Sequence, residues 1–477
     1  MHRREFIKKT GFTMAAWTLP GCFNAVGRSS GKNSSRKPNL ILILIDDLGW
    51  TDLACYGSKY YETPNLDRLA GEGMKFTDGY AACAVCSPTR AAVLTGRYPT
   101  RHGITDWIRP SEDKANPTGY DSEKDWKLQT PKNHVFMEPR EITIAEKLKE
   151  AGYVTCHVGK WHLGGSSFYP EKQGFDYNFG GCSWGHPHKG YFDPYQISTL
   201  PDRREGEYLT DREAEEAVNF IREYKDKPFF LYLAHYAVHA PIQAKEDLIE
   251  KYKAKPPTNQ KNPTYAAMVE SVDQAVGKIL AVLDELKLTD DTMVIFTSDN
   301  GGAVHFPATD NAPLRAGKGF PYEGGIRAPL IIRWPEVVRP GSICREPVIS
   351  MDFFPTICAA VGVKTPTDRP IDGLNLMPLL TQTGTLSREA LYWHFPHYWW
   401  GINVRPYSII RIGDWKLIKH YENDRFELFN LKDDLSEQND LAVQMPDKVK
   451  KLNAKLTAWL KQTDAKLPQT NPQYQNQ

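Results

Sequence analysis

The sequence predicts an α/β protein, with a large parallel sheet flanked by helices and a smaller C-terminal α+β domain. Two observations carry that prediction. Unbroken aliphatic runs recur along the main part of the chain, each ends abruptly in polar residues, and helical segments lie between them. Past about residue 384 the pattern changes to short candidate strands followed by one helix. Strands that alternate with helices build parallel sheets, whose ligands sit outside the carboxyl ends of the strands. The polar endings are therefore expected to meet along one edge.

The first run, residues 40–45, is ended by Asp46 and Asp47. A strand buried on both faces gives such a continuous run rather than an alternation. The second, 153–158, leads into Gly159, Lys160, Trp161 and His162; the third, 229–234, into His235 and His239; the fourth, 292–297, into Asp299 and Asn300. Between them, Thr63 and Pro64 make an N-cap and first turn for 66–70, residues 142–150 are amphipathic, and 211–224 and 265–286 carry apolar residues at helical spacing. These elements define a main domain over 38–384. Candidate strands at 407–412, 415–419 and 426–430 and a helix at 447–461 define a C-terminal domain over 385–467, and 468–477 reads as a loose tail.

The chain has 477 residues, of which 41% are hydrophobic and 25% charged, a globular composition. Fifty-nine basic residues against 58 acidic ones leave a net charge of +1, which draws the chain neither to nucleic acid nor to a lipid surface. No apolar run approaches the roughly 20 residues of a membrane-spanning helix. Eight cysteines are too sparse to be the framework of the fold. At the N-terminus, Arg3, Arg4, Phe6, Ile7, Lys8 and Lys9 form a basic head ahead of a weakly apolar stretch, so residues 1–30 read as an export signal of twin-arginine type and 31–37 as a linker. Periplasmic localisation is the expectation. Leu19, Pro20, Gly21 and Cys22 resemble a lipoprotein cleavage site that would place a lipid anchor on Cys22, although proline two before the cysteine is unusual there.

Cys86, Ser87, Pro88, Thr89 and Arg90 open a helix, with Ser87 as the expected cap and Pro88 in the first position. Unpaired amides and the helix dipole favour an anion at such an end, and Arg90 lies about one turn on. Cys83 and Cys86 also form a C-x-x-C pair, so a redox role or simple packing competes with a nucleophilic one. No second such pair exists to complete a zinc site. Dithiol exchange needs none of the carboxylates, amide and lysine at the other strand ends.

Cys86, Pro88, Arg90, Leu94, Thr95 and Gly96 match the C-x-P-x-R-x-x-x-L-T-G signature of the type I sulfatases, whose cysteine is oxidised after synthesis to formylglycine. The resemblance extends to Asp46, Asp47 and Gly49, to residues 159–164 (G-K-W-H-L-G), to 298–302, and to Gly317, Lys318, Gly319, Tyr322, Glu323, Gly324 and Gly325. It spans roughly residues 38–439 and implies an alkaline-phosphatase-like fold with a mostly parallel mixed sheet. Asp46, Asp47, Asp299 and Asn300 offer only oxygen ligands, which suits a hard cation, calcium before magnesium. The resemblance adds residue 86 to that metal set.

It also implies the roles. Hydrated formylglycine at 86, made by a formylglycine-generating maturation enzyme, would supply a geminal diol, one hydroxyl of which attacks sulfur. Arg90, Lys160 and Lys318 would neutralise the nonbridging oxygens. His239 would be the general acid, and His162 would take a proton from the second hydroxyl so that sulfate is expelled. His235 is the rival acid, but its neighbours do not match the family, which makes it a packed histidine. The expected substrate is a sulfated carbohydrate met outside the cytoplasm. Aromatic residues form 12% of the chain, and the run Tyr392, Trp393, His394, Phe395, His397, Tyr398, Trp399 and Trp400 suits either sugar stacking or the seam between the two domains. His186, His188 and Lys189 would rim the pocket. Two other readings stand beside this one, a phosphate or phosphonate ester hydrolase of the same superfamily and an inactive glycan-binding relative.

Overall fold

The computed structural model describes residues 37–109, 126–306, 308–399 and 401–474. The export signal read in residues 1–30, the lipid site at Cys22 and nearly all of the 31–37 linker lie outside these residues. At the centre is an eight-stranded sheet in the order Ser342–Cys344, Met74–Phe76, Leu330–Arg333, Thr292–Ser298, Asn39–Ile45, Phe229–Ala234, Val154–Gly159, Tyr177–Phe179. Leu330–Arg333 runs antiparallel to both its neighbours, and every other pairing is parallel. The sheet is therefore mixed and mostly parallel, as expected.

The four aliphatic runs are four adjacent strands, the fourth to the seventh in that order. Successive side chains of Asn39–Ile45 enter opposite cores: Ile41, Ile43 and Ile45 join one, and Leu40, Leu42 and Leu44 join the other. Both faces are covered, which is why the run shows no polar alternation. Helices Pro64–Glu72, Leu209–Glu223 and Pro263–Glu285 cover the first face; Cys86–Thr95, Ile144–Glu150 and Phe353–Ala360 cover the second. The helix Ile144–Glu150 starts on a capping box between Thr143 and Glu146. Register pairs Ile45 with Ser298, Leu44 with Ala234, and Ala234 with Gly159, so these strands end on one edge.

The C-terminal part is an antiparallel sheet of Leu391–Phe395, Tyr407–Ile412, Trp415–His420 and Arg425–Asn430, packed by helix Pro446–Gln462. Its core also takes in Tyr80, Val85, Ala92, Tyr98 and Ile326 from the main part. Part of the aromatic run fills this seam, where Trp393 Nε1 donates to the Ala81 carbonyl at 2.8 Å, while Tyr392 stacks on Trp459 of the C-terminal helix at 4.7 Å; Trp400 lies outside the described residues. A buried ion network crosses it as well. Glu323 accepts from the Tyr80 hydroxyl (2.6 Å), Arg327 (2.9 Å) and Lys416 (3.0 Å), and Lys416 also pairs with Glu437 at 2.7 Å.

Two expectations need correction. The segment after Leu467 is not loose throughout, because Gln469–Thr470 pairs with Leu128–Gln129 and Asn471 Nδ2 donates to the Trp126 carbonyl at 2.8 Å. The helix expected to carry the nucleophile begins at Cys86 with Val85 as N-cap, ahead of the start that Pro88 suggests, and Ser87 accepts from the Ile108 N–H at 3.1 Å instead of capping. The turn before it is closed by Thr89, whose hydroxyl accepts from Cys83 N–H at 3.0 Å. Proline is tolerated in the first turn because the N–H it lacks has no helical partner there. Among the described residues no helix is long and apolar enough to cross a membrane.

Burial pushes His397 down to about 3, and its Nε2 lies 2.8 Å from the Thr105 hydroxyl. The folded value lies below the ordinary value of about 6.5, so the folded state binds fewer protons than the unfolded one as pH falls. The stability attached to this group is complete above about pH 6.5 and is lost as pH falls from there toward 3. Replacing it (His397→Gln) should therefore improve the variant relative to the parent by about 2 kcal/mol between about pH 7.5 and 5. Urea denaturation at both pH values measures this; identical pH dependence in the two proteins would refute it.

Candidate active site

Asp46 and Asp47 follow the central strand directly, and Asp47 sits in the left-handed region at φ 62. The Ser298 hydroxyl ties this turn to its neighbour: Leu48 N–H donates to it at 3.0 Å, and it reaches the carbonyls of Ile45 (3.1 Å) and Asn300 (2.9 Å). Asp47 N–H donates to Asp299 at 3.2 Å, and Asn300 Nδ2 donates to Asp47 at 2.8 Å. The four oxygen-bearing side chains expected to meet do so, and all are buried.

Three cations stand among them. Lys160 Nζ lies 2.6 Å from Asp46, Lys318 Nζ 2.6 Å from Asp47, and Arg90 lies 2.8 Å from Asp299. Arg90 also donates to the Lys160 carbonyl at 2.8 Å. Its guanidinium thus braces the carboxylate cluster and the Lys160 backbone, whereas the sequence had pointed it at an incoming anion. Burial works against charge on Asp47, yet Lys318, His239 and Lys160 hold its carboxyl below the usual range. Asp46 moves the other way: burial first, and then Asp299, pushes it up to about 8. Asp46 Oδ1 and Asn300 Oδ1 are buried and have no hydrogen-bond partner among the described residues. Two orphaned oxygens within an all-oxygen donor set fit a hard cation.

Cys86 opens its helix beside this cluster. Burial raises its thiol, while Lys160 and Lys318 pull it down and Asp46 and Asp299 add to the rise. His162, also left-handed at φ 59, places Nδ1 3.4 Å from Cys86 Sγ and Nε2 2.5 Å from the Ile108 carbonyl. A carbonyl can only accept, so Nε2 carries the proton and Nδ1 faces residue 86 with its lone pair. Burial, followed by Lys160, keeps this imidazole neutral. His239 is pinned the opposite way: Nδ1 lies 2.7 Å from the Ala240 carbonyl, and Nε2 faces the site 3.6 Å from Asp47. His235 turns away, its Nδ1 2.6 Å from the buried Glu213 carboxylate. Cys83 and Cys86 are both free thiols, and burial pushes Cys83 up to about 12, so it is unsuited to dithiol exchange.

The sequence profile of the sulfatases matches residues 38–363, and that of the N-sulphoglucosamine sulphohydrolase C-terminal region matches 316–466. A sulfatase of Formosa agariphila is 34% identical, covering 91% of this chain and 90% of its own. The chain belongs to the sulfatase family. Human N-acetylgalactosamine-6-sulfatase is 37% identical over 76% of this chain and 72% of its own. The solved structure of Ps i-CgsB, 32% identical, superposes with a TM-score of 0.75 over 89% of this chain and 93% of that one, and the same protein has been solved in complex with k-i-k-neocarrahexaose. The protein is thus an enzyme, a sulfuric ester hydrolase with an alkaline-phosphatase-like fold.

Several residues of this sulfatase's site left no signal in its sequence. Asn311, on an irregular loop, is buried, and its Nδ2 donates to the carbonyls of Gly302 (3.0 Å) and Ala316 (2.9 Å). It thereby joins the turn after Asn300 to the loop that carries Lys318. Its Oδ1 fills the space beside Gly49 and Gly302, where a Cβ would lie 2.5 and 2.6 Å from it. That close approach explains both glycines. Trp399, from the end of the aromatic run, reaches the site, 5.9 Å from Lys318 Nζ and 5.3 Å from the His305 ring. Removing the Asn311 clamp (Asn311→Ala) should lower kcat/KM roughly 10- to 100-fold, since displacing Lys318 by about 1 Å misaligns it. Steady-state kinetics with a far-ultraviolet circular dichroism control checks this, and unchanged kinetics would show that the clamp does not position Lys318.

Proposed function

We propose that this sulfatase removes sulfate from a sulfated carbohydrate, using a formylglycine made from Cys86 and one calcium ion held by Asp46, Asp47, Asp299 and Asn300. The observation that carries the reading is the pair of orphaned oxygens, on Asp46 and Asn300, buried among paired carboxylates and lysines beside residue 86. Bound there, the cation would supply Lewis-acid polarisation of an ester oxygen. As formylglycine, residue 86 would supply a hydrated aldehyde whose hydroxyl is the nucleophile toward sulfur.

The chain's own residues do the rest. Lys160 and Lys318 approach from either side of the carboxylates and neutralise the nonbridging oxygens. Arg90 holds Asp299 and the Lys160 backbone in place. His162 Nδ1 accepts a proton from the group on residue 86. His239 donates Nδ1–H to the Ala240 carbonyl and turns Nε2 toward the leaving oxygen, to which it would deliver a proton from its imidazolium form, a form that burial opposes and Asp47 favours. A carbohydrate leaving group is supported by the names of the human relative and of the ligand bound to Ps i-CgsB, and by the rings that rim the site. The basic head within residues 1–30 supports export to the periplasm, where such a polymer would be met.

Three measurements test this reading. Replacing the nucleophile (Cys86→Ala) should abolish sulfate release from a panel of sulfated oligosaccharides while calorimetry still detects binding; substantial turnover would contradict the covalent route. A peptide spanning residue 86 should weigh about 18 Da less than its cysteine form. Chelation should lower Tm, and calcium at about 100 times its Kd should restore about 2.7 kcal/mol of stability. Restoration by zinc but not calcium would point to a different cation.

A further inference from the structure

His186 begins a ladder of rings that leads outward from His239. The two imidazoles lie 5.8 Å apart with planes only 10° from parallel. His188 follows 4.5 Å from His186, and Trp184 stacks on His188 at 4.2 Å. His186 is half-buried, and His188 is exposed. The ladder therefore runs from the atom that faces the leaving oxygen to the mouth of the site, while His305 and Trp399 stand by Lys318.

The loop that carries it is built against the catalytic histidines. A Cβ on Gly185 would lie 2.6 Å from His162 Cε1, so the backbone passes directly over that ring. Further on, the Tyr191 hydroxyl lies 2.8 Å from the His239 carbonyl, and Tyr191 N–H donates to Gln243 at 2.9 Å. His186 is held in register with the reacting group although it takes no part in binding the cluster.

Its hydrogen-bonding capacity is unspent. Both nitrogens of His162 are engaged, as is Nδ1 of His239 and of His235, but among the described residues neither nitrogen of His186 has a hydrogen-bond partner. Burial, and after it His188 and the lysines, pushes His186 down to about 4. A neutral imidazole offers one donor and one acceptor, and a hydroxyl can engage both roles, whereas a carboxylate or a second sulfate could use only the donor.

Resting on the carbohydrate reading above, we propose that His186 is a specificity-determining residue: it hydrogen-bonds a free hydroxyl of the sulfated sugar that neighbours the sulfate ester in space, while the ring ladder receives a face of the pyranose. The leaving alcohol is then recognised as a ring with a free neighbouring hydroxyl, not as an arbitrary alkoxide.

The test compares the parent, His186→Ala and His186→Gln on three substrates: a sulfated sugar that the parent turns over, the same sugar sulfate lacking the neighbouring hydroxyl, and 4-nitrophenyl sulfate. Removing one hydrogen-bonding partner should cost His186→Ala roughly 10- to 100-fold in kcat/KM on the full sugar, and at least tenfold less on the aryl sulfate. Glutamine, which also donates and accepts, should recover part of the loss. The parent should lose about the same factor on the deoxy sugar, and His186→Ala should barely distinguish the two sugars. Equal losses on sugar and aryl sulfates, or full discrimination retained in His186→Ala, would overturn the proposal. A parent active on the aryl ester and inert toward every sugar sulfate would instead overturn the carbohydrate reading on which it rests.

Discussion

Asp46, Asp47 and Asp299 are buried side by side, an arrangement that desolvation and like-charge repulsion make costly unless positive charge sits among them. Lys160, Lys318 and Arg90 supply it at 2.6 to 2.8 Å, one cation beside each carboxyl group. The rest of the site depends on this balance. A divalent cation on the oxygens of 46, 47, 299 and 300 would add two charges and leave the cluster net positive. A sulfate monoester carries one negative charge and would offset part of that excess. In the proposed reading, the cation added to that balance thus sets the sign of the ligand the site would attract.

The sheet explains how residues distant in the sequence, such as Asp47 and Asn300, can share that balance. Parallel pairing of Asn39–Ile45 with Phe229–Ala234 and Thr292–Ser298 puts their carboxyl ends on one edge, and any antiparallel neighbour there would have carried its ending away. The C-terminal part adds a second grip. Gly319 N–H donates to the Ala84 carbonyl at 2.8 Å, just ahead of the nucleophile helix, and the Tyr407 hydroxyl donates to the Gly319 carbonyl at 3.2 Å. A few residues on, Glu323 is fixed by Lys416 from the same small sheet. The segment bearing Lys318 is therefore clasped between the two parts of the chain, and the C-terminal sheet contributes to the site without lending it a reacting atom.

What could be read from sequence followed the range of the interactions involved. The four aliphatic runs and their polar endings are local patterns, and they revealed the sheet and the cluster together. The start of the nucleophile helix was misplaced because Pro88 suits a first helical position, whereas the turn ahead of it is closed by Thr89 reaching back to Cys83. Arg90 was legible as a cation near an anion site, but its partner, Asp299, is fixed only by the tertiary fold. Asn311 lies in a stretch of ordinary turn residues, and its importance comes from carbonyls that other segments bring to it. The aromatic run was ambiguous because its side chains serve two ends: Trp393 fills the seam, and Trp399 reaches Lys318.

The two histidines that face the reacting group show how little chemistry the side chain itself must encode. Both are imidazoles in buried surroundings, and backbone carbonyls alone give them different orientations. Ile108 occupies Nε2 of His162 and leaves Nδ1 to accept from residue 86, while Ala240 occupies Nδ1 of His239 and leaves Nε2 toward the leaving group. Reversing the carbonyl at His162 would present a donor where a lone pair is needed. The left-handed backbone at His162 and Asp47, a conformation costly for residues with a Cβ, is sustained because these contacts over-determine it. At His162 that strained backbone accompanies a fixed choice of which nitrogen faces residue 86, held by Ile108, a residue far from it in the sequence.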